Sequence, residues 1–158
     1  MPLNRTTSTS TSTEPNTPSI EPDATLEARK IPVAEVTCLG EQLSPANSQA
    51  AKEAMIVWAD SHWIIDPRNH HAQVSLPRNA TDAVAWIVCN LKDNHWDPVP
   101  EDELNEAERI IKNYCGENQS GRLYSRKWRK EWIITTYRWF RHKSERHRHN
   151  HVCRHHHH

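Results

Sequence analysis

The four cysteines are the residues of this chain with the most definite chemistry. Cys38, Cys89, Cys115 and Cys153 are even in number and lack the Cys-x-x-Cys spacing of zinc fingers and redox sites. They are absent from the first 30 residues and spread through the rest, which is typical of stapling cysteines. We expect two disulfides in an oxidising compartment; the alternative is four reduced thiols in a cytosolic protein.

Four cysteines allow three disulfide connectivities. We predict a Cys89–Cys115 bond, which joins a central strand to the end of the helix that crosses it, and a Cys38–Cys153 bond between the two ends of the domain. By loop entropy each bond would stabilise the fold by about 3–5 kcal/mol. Such a contribution is a large part of the roughly 5–15 kcal/mol that holds a domain folded.

The C-terminal segment 141–158 holds eight of the twelve histidines. His147, His149 and His151 alternate, so in an extended chain they project to one side together with Cys153, as ligands for Zn²⁺ or Cu²⁺. A disulfide at Cys153 would remove one ligand. There are two alternatives to a metal site. The alternating stretch is a solvated basic end that binds metal only adventitiously, or the last four histidines are the remnant of a purification tag. We predict no obligate cofactor.

Charge is strongly segregated along the chain. Residues 1–121 carry a net charge of −9 and residues 122–158 a net charge of +9. This polarity indicates either internal pairing of the two halves or a basic face for anionic partners.

The segment 122–143 alternates cationic side chains with aromatic rings. Such a pattern suits contacts to phosphates, to bases or to a bilayer interface. The alternative is a strand whose rings are buried and whose cations are solvated or paired. The residues predicted to bind an anionic membrane or nucleic acid are Arg126, Lys127, Trp128, Arg129 and Lys130.

Acid–base chemistry has little support in the sequence. His62 and His95 offer a ribonuclease-like pair, but their spacing does not require it, and a histidine on the apolar face of a helix is more often a core residue. The chain has no P-loop, HExxH or GxSxG motif. We predict a non-enzyme with no catalytic residues.

The elements that position these residues lie between 31 and 140. Seven tryptophans allow a core built on large rings, and three glycines argue against a turn-rich β-sandwich. No apolar run approaches the ~20 residues of a membrane span. The predicted elements are a strand at 31–38, a helix from Pro45 after a Ser44 cap, strands at 71–76 and 81–91, a helix at 101–114, a loop at 116–122 and a strand at 130–140.

The order of these elements, β-α-β-β-α-β, predicts an α+β fold in which two helices pack on a small, mainly antiparallel sheet. The segment 81–91 is apolar on both sides, so we expect it in the interior of that sheet. Disulfides would staple the domain, and residues 141–158 would form a basic, His-rich tail tied back through Cys153.

The first 30 residues are rich in Ser, Thr, Pro and Glu, which predicts a disordered pro-segment. Arg29-Lys30, at its end, is predicted as a processing site; a chance dibasic pair is the alternative. Asn4, Asn79 and Asn118 lie in permitted glycosylation sequons. The N-terminus has no signal-peptide pattern, so the protein is intracellular or the sequence starts after signal cleavage.

Three segments, "AVAWIVCN", "ELNEAERIIKNYCG" and "SGRLYSRKW", resemble the core of small secreted fungal proteins, in which a Y-I-C-N strand precedes a helix that ends in CG. Over residues 31–153 the chain is similar to killer-toxin-like effectors and necrosis-inducing secreted factors. The basic end and "RKEWIITTYRW" depart from that pattern. The resemblance implies a disulfide-held α/β sandwich, secretion and a role as toxin, effector or antagonist, and it supplies no catalytic residues.

Together these patterns predict a secreted, extracellular glycoprotein that acts without catalysis as an effector or killer-toxin-like protein. It would be a monomer that binds an unidentified host or competitor macromolecule. The alternative is a cation-rich module that binds anionic membrane, nucleic acid or metal ions through residues 122–158.

Overall fold

The computed structural model describes residues 30–33, 35–145 and 152–154. Within these residues there is no helix that could span a membrane. The predicted α+β class is confirmed, but the described residues form three helices and not two. The elements are β1 (Glu35–Gln42), α1 (Pro45–Asp60), β2 (Asn69–Val74), β3 (Val84–Asn90), α2 (Glu101–Cys115), β4 (Gln119–Ser125), β5 (Lys130–Thr136) and α3 (Tyr137–Glu145).

One antiparallel sheet contains the five strands, in the order β1-β4-β5-β3-β2. β3 is interior, as predicted, and all seven of its residues are buried. Its side chains alternate between two apolar clusters: Trp86 and Val88 belong to one, and Ile87 and Cys89 to the other. The sheet is therefore covered on both faces.

The first face of the sheet, here the helical face, packs against α1 and α2. The predicted start of α1 is confirmed, because Ser44 Oγ accepts a hydrogen bond from Asn47 N (3.2 Å) and Pro45 occupies the first turn. The buried side chains of this face include Ala51, Met55, Trp86, Leu104, Ala107, Ile111, Leu123 and Trp132.

The second face, here the C-terminal face, has a thinner cover. Partly buried Tyr137, Trp139 and Phe140 of α3 pack on it, and so does the fully buried Val152. Residues 152–154 are called the C-terminal strap below. The predicted boundary between domain and tail, at residue 140, falls inside α3.

The loop predicted at 116–122 is wrong in its second half, which is the start of β4. Gly121, which the predicted loop included, lies inside the strand. A Cβ at this position would lie 2.8 Å from Ile111 Cγ2 and 3.1 Å from Cys115 Sγ. The glycine is required because α2 packs directly on the strand backbone.

The strand predicted at 130–140 is wrong beyond Thr136, where α3 begins. Thr136 Oγ1 accepts a hydrogen bond from Trp139 N at 3.0 Å, which caps the first turn of the helix. The aromatic residues that follow have high strand propensity, but they pack on the C-terminal face from a helix. Tertiary packing outweighs local propensity here.

Two disulfides connect the described cysteines, but the predicted pairing is wrong: the bonds are Cys38–Cys115 and Cys89–Cys153. Cys89 lies on the C-terminal face of β3, whereas α2 packs on the helical face, so Cys115 is on the wrong side of the sheet for it. Cys38 pairs with Gly121 across β1 and β4, directly below the end of α2. Each face of the sheet therefore carries one disulfide.

Candidate binding face

Three loops meet at one end of the sheet, and we call this surface the loop face: residues 61–68, 91–100 and 126–129. Ile65 and Asp97 exchange two backbone hydrogen bonds, of 2.8 and 3.0 Å. Leu91 N donates to Arg129 O at 2.9 Å. The loops are thus held to one another by their backbones.

Asn90, the last residue of β3, anchors two of these loops from below. Its fully buried amide donates to Ile65 O at 3.0 Å and to His95 O at 2.7 Å, and its Oδ1 accepts from Lys92 N at 3.0 Å. The sequence analysis missed this residue. The available signal was an amide side chain at the end of a fully apolar strand, where burial requires hydrogen-bond partners.

A cleft of about 540 Å³ opens in the loop face between the 91–100 loop and the 126–129 turn. This volume is within the range of small-ligand sites. Polar and charged side chains predominate in its lining, which consists of Lys92, Asn94, His95, Asp97, Pro98, Glu103, Lys127, Trp128, Arg129 and Lys130.

Two ion pairs lie in the floor of this cleft. Lys92 pairs with Asp97, and Lys130 Nζ lies 2.7 Å from Glu103 Oε1. Lys130 Nζ also donates to Pro98 O at 2.8 Å. Burial raises the pKa of Glu103, and the neighbouring Lys130 opposes that rise. The floor therefore offers donors and acceptors that are already positioned.

The predicted anion-binding residues lie on the 126–129 turn and at the start of β5, beside the cleft. Arg126 and Lys127 are exposed, and Trp128 is half-buried against the core. Arg129 pairs with Asp93 at 3.2 Å, and Lys130 is only 2% exposed. Four of the five residues, all but Arg126, line the cleft, but Arg129 and Lys130 already have carboxylate partners.

Among the residues that the structure describes, three ion pairs join the basic half of the sequence to the acidic half: Arg129–Asp93, Lys130–Glu103 and Arg154–Glu35, at 3.2, 2.7 and 2.6 Å. Of the two interpretations of the charge segregation, these contacts favour internal pairing. Fewer cations of residues 122–158 are then available to an anionic partner.

Large apolar side chains protrude from the loop face next to the cleft. Trp63 is 60% exposed, Ile64 48% and Trp96 57%. Trp96 Nε1 donates to Asp66 Oδ1 at 3.0 Å, which restricts the indole ring. Trp63 and Ile64 line a groove of about 320 Å³, and its other residues are Ala59, Asp60, His62, Pro98, Val99, Pro100 and Glu101.

The two histidines considered for acid–base chemistry lie in different depressions of the loop face. His95 lines the cleft and His62 lines the groove. His62 is exposed, beyond the end of α1, at a φ of 65°, and so is not a residue of the apolar helix face. Neither the sequence nor these positions assign a proton-transfer role.

Metal binding was predicted at His147, His149 and His151, which lie outside the described residues. Cys153 forms a disulfide and so is not a ligand. Among the residues that the structure describes, no group of three or more His, Cys, Asp or Glu could hold a metal ion.

The C-terminal strap lies over a buried carboxylate on β5. Glu131 is fully buried; its Oε2 accepts from Arg122 Nε at 2.7 Å and its Oε1 from Arg154 N at 2.9 Å. Arg122 also donates to Val152 O at 2.9 Å, and the Arg154 guanidinium lies 4.3 Å from the Tyr124 ring centroid. The sequence analysis missed this network, which fixes the strap.

The predicted processing and glycosylation sites differ in accessibility. Arg29 and Asn4 lie outside the described residues; Lys30 is exposed, but Ile31 is 4% exposed and belongs to the core of the helical face. Asn79 is exposed. Asn118 is half-buried, and its backbone carbonyl accepts a hydrogen bond from Leu43 N at 2.7 Å. Processing at Arg29-Lys30 and glycosylation at the three sequons stay predictions.

Comparison with known proteins finds no match to this chain among family models, curated proteins or solved structures.

Proposed function

We propose that this chain is a secreted, non-catalytic binding protein of the fungal effector and killer-toxin-like kind, and that it engages a host or competitor macromolecule through the loop face. One observation carries the proposal: Trp63, Ile64 and Trp96 protrude together from loops that are held by their own backbones. Clustered apolar side chains in solvent mark interaction surfaces, and tryptophan is enriched among residues that dominate binding energy.

Secretion and a killer-toxin-like sandwich are parts of the same proposal. The two disulfides support an oxidising compartment. The exposed sequon at Asn79 is compatible with glycosylation. Two helices over one face of a disulfide-bonded antiparallel sheet support the sandwich.

The second candidate is the cation-rich module that binds anionic membrane, nucleic acid or metal through residues 122–158. The exposed Arg126 and Lys127 favour it. The ion pairs of Arg129 and Lys130 weigh against it, because a phosphate would have to displace a carboxylate that is already in place.

Binding of the fluorescently labelled, secreted protein to panels of plant and fungal cells tests the proposal. We expect saturable binding that persists from about 50 mM to about 500 mM salt, since the contact is mainly apolar. Trp63→Ser with Trp96→Ser should abolish it. The matched control is Tyr114→Ser, which removes an exposed ring (69%) from the end of α2 and should leave binding unchanged.

The second candidate predicts the opposite pattern. Binding would then collapse over the same salt range, be lost in Arg126→Ser with Lys127→Ser, and survive both tryptophan substitutions. That pattern, or no cell binding at all, would overturn the proposed function.

A further inference from the structure

We propose that the loop face binds an uncharged oligosaccharide chain, laid across the cleft and the neighbouring groove. This inference rests on the proposed function and names the chemical class of its target. The juxtaposition that carries it is three indoles, those of Trp63, Trp96 and Trp128, on the loops around two adjoining depressions, beside ion pairs that are already formed.

The two depressions adjoin at Pro98, and together they are called the track below. Pro98 lines both the 540 Å³ cleft and the 320 Å³ groove. Trp128 lines the cleft, Trp63 lines the groove, and the exposed Trp96 lies on the loop that separates them. An elongated ligand with a repeated unit could therefore meet one ring in each part of the track.

Indole rings suit the apolar faces of sugar rings. The face of an aromatic ring is electron-rich and attracts C–H groups that neighbouring oxygens polarise. The Trp96 ring is fixed by its hydrogen bond to Asp66 Oδ1 (3.0 Å), and the backbone pairing of Ile65 with Asp97 fixes the loops that carry Trp63 and Trp96. A rigid platform loses little entropy on binding.

The polar lining suits hydroxyl groups, each of which both donates and accepts a hydrogen bond. The Lys92–Asp97 pair, with side chains 22% and 12% exposed, places a donor beside an acceptor in the cleft, and the 19% exposed Glu103 side chain adds a further acceptor. Exposed Asn94 adds an amide that can do both.

Charge in the track argues against an ionic ligand. Three of the four Lys and Arg side chains that line the cleft are already paired with carboxylates, so a phosphate or uronate group would have to displace one of them. In the groove it would meet the like charge of Asp60 and Glu101. The cations of the cleft would likewise repel a cationic ligand. A chain of neutral hydroxylated rings meets neither obstacle.

Isothermal titration with chitohexaose, cellohexaose, laminarihexaose and mannohexaose tests the inference on the disulfide-intact full chain. We expect at least one to bind saturably, with a dissociation constant that changes less than about twofold between 50 and 500 mM salt. Trp63→Ser and Trp96→Ser should each weaken binding by about tenfold or more. Tyr114→Ser should leave the affinity as it is. Because all three residues are exposed, circular dichroism should show native folding in every variant.

RNA, polygalacturonate and anionic vesicles complete the set of probes. Binding to these alone, with an affinity that falls steeply with salt, would overturn the oligosaccharide inference. If no hexasaccharide binds while protease treatment of target cells removes the tryptophan-dependent cell binding, the partner is a protein: the inference is then wrong and the proposed function stands. If the protein binds neither the cells nor any hexasaccharide, both the oligosaccharide inference and the proposed function are wrong.

Discussion

The two faces of the sheet are covered in different ways. The helical face lies under α1 and α2, of 16 and 15 residues, and its core is apolar. The C-terminal face lies under the nine-residue α3 and the strap, and a fully buried carboxylate, Glu131, lies among its apolar side chains. Each face carries one disulfide, although only the C-terminal face has a thin cover.

This difference assigns different tasks to the two disulfides. Cys38–Cys115 ties an edge strand to a helix that already buries four of its side chains. Cys89–Cys153 holds a three-residue strap whose other contacts include the burial of Val152, hydrogen bonds to Arg122 and Glu131, and the contacts of Arg154 with Glu35 and the Tyr124 ring. We infer that the first bond mainly constrains the unfolded chain and that the second also determines local structure.

Removal of either disulfide gives the largest expected effect. The bonds span 77 and 64 residues, so replacing either cysteine pair by serine should lower the free energy of unfolding by about 4–5 kcal/mol. Chemical denaturation measures this. Hydrogen exchange of the Arg154 amide, which donates to Glu131, should accelerate in Cys89→Ser/Cys153→Ser and not in Cys38→Ser/Cys115→Ser. Equal acceleration in both would contradict the separation of tasks.

Glu131→Gln should destabilise the C-terminal face by about 3 kcal/mol, because it leaves the largely buried Arg122 guanidinium without a counter-charge. Urea denaturation checks the value. Glu35→Gln is the matched control: it removes the other carboxylate that contacts the strap, but its ion pair with Arg154 is half-exposed, and its loss should cost less than about 1 kcal/mol. Equal losses would show that burial of Glu131 is unimportant.

Gly121→Ala tests how closely the helical face is packed. The new Cβ would lie 2.8 Å from Ile111 Cγ2, and overpacking of this kind should cost about 1–3 kcal/mol. In the double variant with Ile111→Ala the two losses should be less than additive, since the second change removes the clash. Strict additivity in a thermodynamic cycle would mean that the two residues do not touch.

His71 on edge strand β2 gives a smaller, pH-dependent effect. Burial, and then the charge of His70, lower its pKa from 6.5 to about 4, and its ring stacks on Trp58 at 3.6 Å. Because the unfolded chain binds the proton more tightly, the contribution of His71 is complete above pH 6.5 and is lost as the pH falls towards about 4. After allowance for solvent screening we expect about 1 kcal/mol.

His71→Phe, which keeps a ring beside Trp58, should flatten the melting temperature over that pH range relative to the unsubstituted protein. An unchanged slope would assign the pH dependence to other groups.

Local signals were sufficient for the elements that local chemistry determines. Ser44 and Pro45 mark the start of α1, and the two-sided apolar pattern of β3 predicts its interior position. Local signals failed where a contact with a distant part of the chain determines the secondary structure. Gly121 resembles a turn residue until α2 is placed on it, and the run after Thr136 resembles a strand until it meets the C-terminal face.

Part of the candidate site lies in a run that the sequence analysis selected for contacts to an anionic partner, a role that stays a prediction. The 126–130 run was singled out and does line the cleft, apart from Arg126. Its partners Asp93 and Glu103 come from other elements, and no spacing rule connects them. The disulfide pairing was wrong for the same reason. The alternation of β3 placed Cys89 correctly, but which face α2 covers is a property of the whole topology.

Peptide mapping by mass spectrometry under non-reducing conditions tests most directly that each face of the sheet carries its own disulfide. We predict linked peptides that join Cys38 to Cys115 and Cys89 to Cys153. Peptides that join Cys89 to Cys115, or four free thiols, would contradict it.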